Sequence, residues 1–172
     1  RMLNIINDII NISRIESGQI ELSVSNVSMK ELAMIIFDFF KPEADLKNLQ
    51  FSFNADSENT PRKILTDTEK LYAIFTNLIK NALKFTEIGF IKYGYTVEEN
   101  IIHCFVKDSG NGIAPDSLKS VFERFIQEDV SPTRIQEGSG LGLPIVKAYV
   151  GLLGGKVWVE STKGVGSTFH FS

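Results

Sequence analysis

The chain has 172 residues, a net charge of −3 and a hydrophobic share of 43%, which suits one domain with its own core plus a short appendage. The acidic balance argues against nonspecific nucleic-acid binding, which wants a basic patch, so no nucleic acid is expected as a partner and an anionic ligand must be held by local donors. The one cysteine, Cys104, sits in a strand-like run and reads as a small buried hydrophobe, so no internal disulfide forms and nothing indicates an oxidising compartment. Neither a signal peptide nor an apolar run of transmembrane length can be read here; the sequence opens at Arg1 inside a helical pattern, as a piece of a longer protein would.

Taken in order, Met2, Ile5, Ile9 and Ile12 follow a seven-residue repeat with Asn4, Asn7, Asp8 and Asn11 on the other side, an amphipathic helix ending at Gly18. Gln19 to Val24 alternates and predicts a short strand. Ser28 with Glu31 forms a capping box that opens a helix through about Lys47, which Pro42 should kink or end early. Phe51 and Phe53 mark a strand, Asn54 to Arg62 a polar turn region, and Ile64 and Leu65 a brief strand. Thr66 with Glu69 reads as a second capping box, opening a helix from about Asp67 to Phe85. Two longer alternating strands follow, through Ile91–Val97 and Ile101–Val106, joined at Glu98-Glu99-Asn100. A polar stretch from about Ala114 to Glu137 holds a short helix around Leu118–Phe122; a helix is expected from Ser139 to Leu153, then closing strands at Val157, Val159 and Thr168 to Phe171. Strands and helices do not alternate as βαβ units, so the expected fold is α+β, a two-layer sandwich whose mixed sheet is covered on one face by helices.

Four stretches carry chemistry. Asn77, Asn81 and Lys84 recur at i, i+4 and i+7 of one helix, so they share a face. Two amides and an ammonium there can hold a metal ion and the phosphates it bridges, although alone they would read as a solvated face. Asp108-Ser-Gly110-Asn-Gly112-Ile113 ends an apolar strand; such an Asp can cap a turn, or it can accept from an exocyclic amine while the glycines let backbone approach a flat base. Gly138-Ser139-Gly140-Leu141-Gly142-Leu143 opens a helix, where backbone N–H groups and the dipole make an anion site. No strand directly precedes it, which argues against a dinucleotide-binding fingerprint, and the GxxxxGK[ST] pattern is absent. Gly164-Val-Gly166-Ser167-Thr168 enters the last strand.

These four elements in this order resemble the ATP-binding domain of sensor histidine kinases, within the wider ATPase group that includes Hsp90, MutL and type II topoisomerases. Ile-Ser-Arg-Ile-Glu-Ser-Gly-Gln, residues 12–19, resembles the end of the second dimerisation helix of these kinases, so residues 1–20 would be that helix remnant and 21–172 the catalytic domain. The resemblance implies ATP and Mg²⁺ as cofactors, with Asn81 the metal ligand, Lys84 on a phosphate, Phe85 in place of the frequent Tyr, and Asp108 on the adenine amine. It implies nucleotide contacts from Gly110, Gly112, Ile113, from the glycine loop Gly138–Leu143, and from Ser167 and Thr168. Phe122-Glu-Arg124-Phe125 resembles the Phe box beside a mobile lid; Gln127 stands where many relatives keep an Arg, and Arg134 could supply that cation. Glu137 stands where the glycine loop usually begins with Gly.

Asn77 occupies the place where hydrolytic members of the wider group keep a Glu that activates water, and a neutral amide cannot be that base. The resemblance therefore implies transfer of the ATP γ-phosphate to a histidine on a dimerisation domain, for relay to the receiver domain of a response regulator. The parent would be a homodimer whose catalytic part is cytoplasmic, with the inner membrane as a place of anchorage. The rival readings are a hydrolytic ATPase or Ser/Thr kinase of the same group, and an interaction module blind to nucleotide. His103 and His170 lie in strands outside the His-Glu-[Ile/Leu]-Arg-Thr-Pro setting of the phospho-acceptor, so both are expected to be structural or partly exposed.

Overall fold

A computed structural model describes residues 6, 9–10, 12–15, 17–55, 63–98, 101–123 and 140–172. The elements run β1 (Val24–Val27), α1 (Met29–Leu46), β2 (Gln50–Ala55), β3 (Ile64–Asp67), α2 (Thr68–Phe85), β4 (Phe90–Glu98), β5 (Ile101–Asp108), α3 (Pro115–Leu118), α4 (Gly142–Leu152), β6 (Val157–Thr162) and β7 (Gly166–Phe171). Five strands form a mixed sheet in the order β2-β4-β5-β7-β6, parallel only between β2 and β4, while β1 and β3 pair antiparallel apart from it. This is the α+β sandwich that the sequence predicts.

Alternation along the strands decides which side of the sheet is covered. Tyr93 and Tyr95 of β4, Cys104 and Val106 of β5, and Phe169 and Phe171 of β7 are buried against the helices. Tyr93 sits among Phe51, Phe53 and Phe75 at ring separations of 5.3, 5.4 and 6.0 Å, and its hydroxyl donates to the Ala33 carbonyl of α1 at 2.6 Å. Phe75 of α2 also meets Phe171 edge-on at 5.0 Å. Among the described residues no helix covers the other face: Trp158 stacks on His170 at 5.1 Å there, and His103 meets Trp158 edge-on at 6.5 Å. Both histidines are thus partly exposed strand residues, and Cys104 is a buried free thiol, as expected.

The structure departs from the sequence reading at five places. Residues 19–23 are not strand; β1 begins at Val24, because its partner β3 offers only four residues, and the Ser23 N–H instead donates to Asp67 Oδ2 at 2.9 Å. Of the two outcomes expected of Pro42, a kink or an early end, the early end does not occur: α1 runs on to Leu46, and Pro42 lies on the exposed side where solvent can take the freed carbonyl. The cap of α2 is Asp67, not Thr66: Asp67 Oδ1 accepts from Lys70 N at 3.0 Å while Thr66 stays in β3 opposite Ser25. The short helix lies earlier than predicted, at Pro115–Leu118, where proline presets the first turn. And α4 starts at Gly142, because Gly140 takes a left-handed conformation with φ 68° that a helix cannot include.

The segment before β1 is helical at residues 6, 9–10 and 12–15 and closes at Gly18, whose φ is 63° and whose N–H donates to the Ile15 carbonyl at 3.1 Å. Ile12 and Ile15 join the core, whereas Ile6, Ile9 and Ile10 are exposed. Among the described residues, no helix is long and apolar enough to cross a membrane.

Candidate nucleotide site

Helix α2 buries Leu71, Ile74, Phe75, Leu78, Ile79, Ala82 and Leu83, so Asn77, Asn81 and Lys84 are left along its half-buried flank. The Asn77 side-chain N–H donates to the Ala73 carbonyl at 2.9 Å. Its amide oxygen faces the first residue of α4, for a Cβ placed on Gly142 would lie 3.2 Å from Asn77 Oδ1. A Cβ at 142 would press lightly on the Asn77 amide, so the glycine lets α4 begin close against α2. Among the described residues, Asn81 has no side-chain partner. Burial pushes the Lys84 ammonium below the usual lysine range, and its Nζ rests 4.6 Å from the centroid of the Phe85 ring. Lys47, the residue that caps the end of α1, donates to the Leu83 carbonyl at 2.7 Å, which lets a different cation cap the last turn of α2 and leaves Lys84 uncommitted to it.

At the end of β5, Asp108 is 6% exposed. Burial pushes its carboxyl above the usual aspartate range, against the opposing pull of backbone N–H bonds from Gly110 and Ser167. The Gly110 N–H donates to Asp108 Oδ1 at 2.9 Å. The loop is stitched to its surroundings by backbone: Asn111 N–H to the Phe85 carbonyl at 3.2 Å, and Gly164 N–H to the Asn111 carbonyl at 2.7 Å. A Cβ at Gly110 would fall 2.4 Å from the Phe85 carbonyl, and one at Gly112, where φ is 62°, 2.0 Å from the Thr162 carbonyl. Both glycines are therefore required by close backbone approach. Ile113 N–H donates to Ser161 Oγ at 2.7 Å, and Phe122 meets Phe169 edge-on at 6.2 Å.

The structure thus brings together the end of α2, the Asp108 loop and β7. Gly140, Leu141, Gly142 and Leu143 open α4 beside Asn77, with Leu141 buried. Ser167 lies opposite Asp108 in register and shares its covered face. Thr168 does not: one residue on, it pairs with Lys107 and Glu160 and points to the uncovered face, away from Asp108, because successive strand residues alternate. Phe125, Arg134, Gly138 and Ser139 lie outside the described residues, as do Gln127, Glu137 and most of the expected lid.

Three residues had no local signal. Lys47 and Ser161 act through partners distant in sequence or across the sheet, whereas Thr86 Oγ1 is buried without a hydrogen-bond partner beside Gly110, an orphaned hydroxyl facing the Asp108 loop. A buried unpaired hydroxyl against the loop that follows a buried carboxylate suits a polar base. An amide with no partner among the described residues, on the same helix flank as a partly desolvated ammonium, suits a metal–phosphate group, since Mg²⁺ takes few protein donors and draws the rest from phosphates and water. The donor set therefore fits both ATP and Mg²⁺. A separate cleft of about 650 Å³ at the other end of α2, lined by Arg14, Ile20, Lys70 and Tyr149 among others, contains none of these residues.

Residues 66–172 match the family model described as histidine kinase-, DNA gyrase B-, and HSP90-like ATPase. The chain is 36% identical over 175 residues to the autoinducer 2 sensor kinase/phosphatase LuxQ of Vibrio harveyi, covering 98% of this chain and 20% of that protein. It superposes on full-length ShkA, solved in complex with AMPPNP, with a TM-score of 0.89 at 32% identity over 99% of this chain and 35% of ShkA. It also superposes on the nucleotide-free catalytic domain of histidine kinase ThkA, with a TM-score of 0.74 at 26% identity over 87% of this chain and 93% of that domain. The chain spans about a fifth or less of the length of the curated relatives it matches. The matched residues, the glycine-bounded site and the five-stranded sheet agree: the chain belongs to the histidine kinase-, DNA gyrase B- and HSP90-like ATPase family, as a catalytic ATP-binding domain of the sensor histidine kinase kind.

Proposed function

We propose that this domain positions Mg·ATP for transfer of the γ-phosphate to a histidine on a separate dimerisation domain, for onward relay to the receiver domain of a response regulator. The observation that carries this reading is Asn77. It lies against the start of α4, where a water-activating carboxylate would be needed for hydrolysis, and it is a neutral amide turned onto its own helix. Phosphoryl transfer needs little covalent chemistry from the protein, only positioning and charge stabilisation. Asp108 would accept from the adenine amine, Lys84 would hold a phosphate, and the amide oxygen of Asn81 would hold Mg²⁺, which when bound neutralises charge on the phosphates.

Residues 1–20 would be the tail of the second dimerisation helix and 21–172 the catalytic domain. The exposed Ile6, Ile9 and Ile10 support this, as an apolar stripe suited to a neighbouring helix in a homodimeric parent. The parent would keep this domain in the cytoplasm, with inner-membrane anchorage elsewhere in its chain.

The test uses γ-labelled ATP, with and without a separately prepared dimerisation domain bearing the acceptor histidine. Acid-labile label is expected on that domain alone. His103 and His170 lie on the uncovered face, opposite Asp108, and cannot reach the site without breaking the sheet. Rapid phosphate release without acceptor, or stoichiometric label on either strand histidine, would sink the proposal.

A further inference from the structure

Asp108, Ser167 and Ser161 form a cross-strand row. Asp108 pairs with Ser167 between β5 and β7, Ser167 pairs with Ser161 between β7 and β6, and all three lie on the helix-covered side at one end of the sheet. Ser161 is the hub of this row. Its Oγ receives the Ile113 N–H at 2.7 Å, lies 2.9 Å from the Gly166 carbonyl and 3.0 Å from Ser167 Oγ.

Counting protons settles who donates. A hydroxyl has one proton and two acceptor sites. The Ile113 amide can only donate and the Gly166 carbonyl can only accept. Ser161 therefore gives its proton to Gly166 and accepts from Ile113, which leaves one site, filled by the proton of Ser167. The Ser167 hydroxyl is then spent as a donor, and what remains toward the Asp108 side is lone pairs. Ser167 itself is 6% exposed, so no bulk water competes for its orientation.

We infer that Ser161 is a positioning residue for base selection: by taking the Ser167 proton it locks Ser167 as an acceptor beside Asp108, so that this pair of groups offers only acceptors to a purine's 6-position. This rests on the ATP-site reading above and deepens it. A 6-amino group meets complementary acceptors. A 6-carbonyl meets two sets of lone pairs, and the Ser167 hydroxyl cannot turn to donate, because turning would strip Ser161 of its third partner. Selection against 6-oxo purines thus comes from a residue that touches no nucleotide.

The experiment measures ATP and inosine triphosphate affinities by calorimetry for the wild-type chain, Ser161→Ala, Ser161→Thr and Ser167→Ala. Ser161→Ala frees the Ser167 hydroxyl to donate, and the ATP preference should narrow about five- to tenfold, mainly by tighter inosine triphosphate binding. Ser161→Thr keeps the hydroxyl and should hold the wild-type preference, which a merely structural role for Ser161 would not require. Ser167→Ala removes the opposed lone pairs and should also narrow the preference, so the inference stays testable if Ser161→Ala does not fold. An unchanged preference in either alanine variant that still binds ATP overturns this inference alone. A wild-type chain that binds neither nucleotide brings down the ATP-site reading with it.

Discussion

At the Asp108 end, backbone does most of the holding. Gly110 N–H bonds the carboxylate, Asn111 bonds the end of α2, Gly164 bonds Asn111, and Ser161 gathers Ile113, Gly166 and Ser167. At the Asn81 end, side chains without such ties do the work: Asn81 has no partner among the described residues, and Lys84 rests on a neighbouring ring. The contrast teaches that a base of fixed outline can be recognised by a rigid, prepaired frame. A metal and its phosphates, which bring their own ligands, are better met by donors that remain free until they arrive.

The sharpest way to break this comparison is Asp108→Asn. Losing a charge-assisted acceptor should weaken ATP binding by roughly 1.5–3 kcal/mol, or about 10- to 150-fold, by calorimetry. Stability should move the other way. Burial raises the Asp108 pKa in the folded chain, so its favourable contribution exists only below the unfolded value and is lost as pH rises through the folded one. At neutral pH the ionised group is a burden, and the variant should melt no lower than wild type. For the same reason, ATP affinity should begin to fall on acidification at a higher pH than an ordinary aspartate, near 3.9, would dictate. A melting point well below wild type would show that Asp108 serves the fold.

Next in size is Gly112→Ala, which meets both a left-handed φ and the Thr162 carbonyl. It should cost about 2 kcal/mol or more in chemical denaturation. Gly164→Ala, also at positive φ but facing open space, should cost about 1 kcal/mol. Equal costs would mean that the loop yields, and the rigid-frame half of the comparison would fail.

Asp67→Ala probes the far end of α2. It removes the helix cap and the Ser23 contact and should cost about 1–2 kcal/mol. Burial opposes ionisation of Asp67, but backbone N–H groups of Lys70 and Ser23 and the Lys70 charge outweigh it and hold the pKa below the usual range. Its stabilisation is therefore present above the unfolded value near 3.9 and disappears as pH falls through the folded one, so the wild-type and variant denaturation curves should converge in acid.

The smallest stability effect is expected from Asn81→Ala, under about 0.5 kcal/mol, because no side-chain hydrogen bond among the described residues is broken. Its signature is instead in binding: ATP affinity with Mg²⁺ should drop several-fold, by about 1 kcal/mol, while affinity in a chelator stays near wild type. Equal losses in both conditions would make Asn81 a structural residue and erase the distinction between the two ends.

The fold class and the helix face at Asn77, Asn81 and Lys84 were legible because periodicity and spacing are local properties, and a helix puts i, i+4 and i+7 on one side whatever surrounds it. In sequence the glycines after Asp108 read as room for a flat base, but the structure shows that Gly110 and Gly112 are needed where backbone meets the Phe85 and Thr162 carbonyls, partners that only the folded chain supplies. Element ends were less legible: Asp67 displaced Thr66 as the cap, and residues 19–23 missed their strand, because each outcome depended on where β1 and β3 met. Thr168 read like Ser167 in sequence, yet only sheet register could say which of the two shares a face with Asp108. Ser161, Thr86 and Lys47 carried no local mark at all. Ser161 and Lys47 pair across the sheet or between helices, Thr86 is buried against Gly110, and such contacts exist only once the chain has closed on itself.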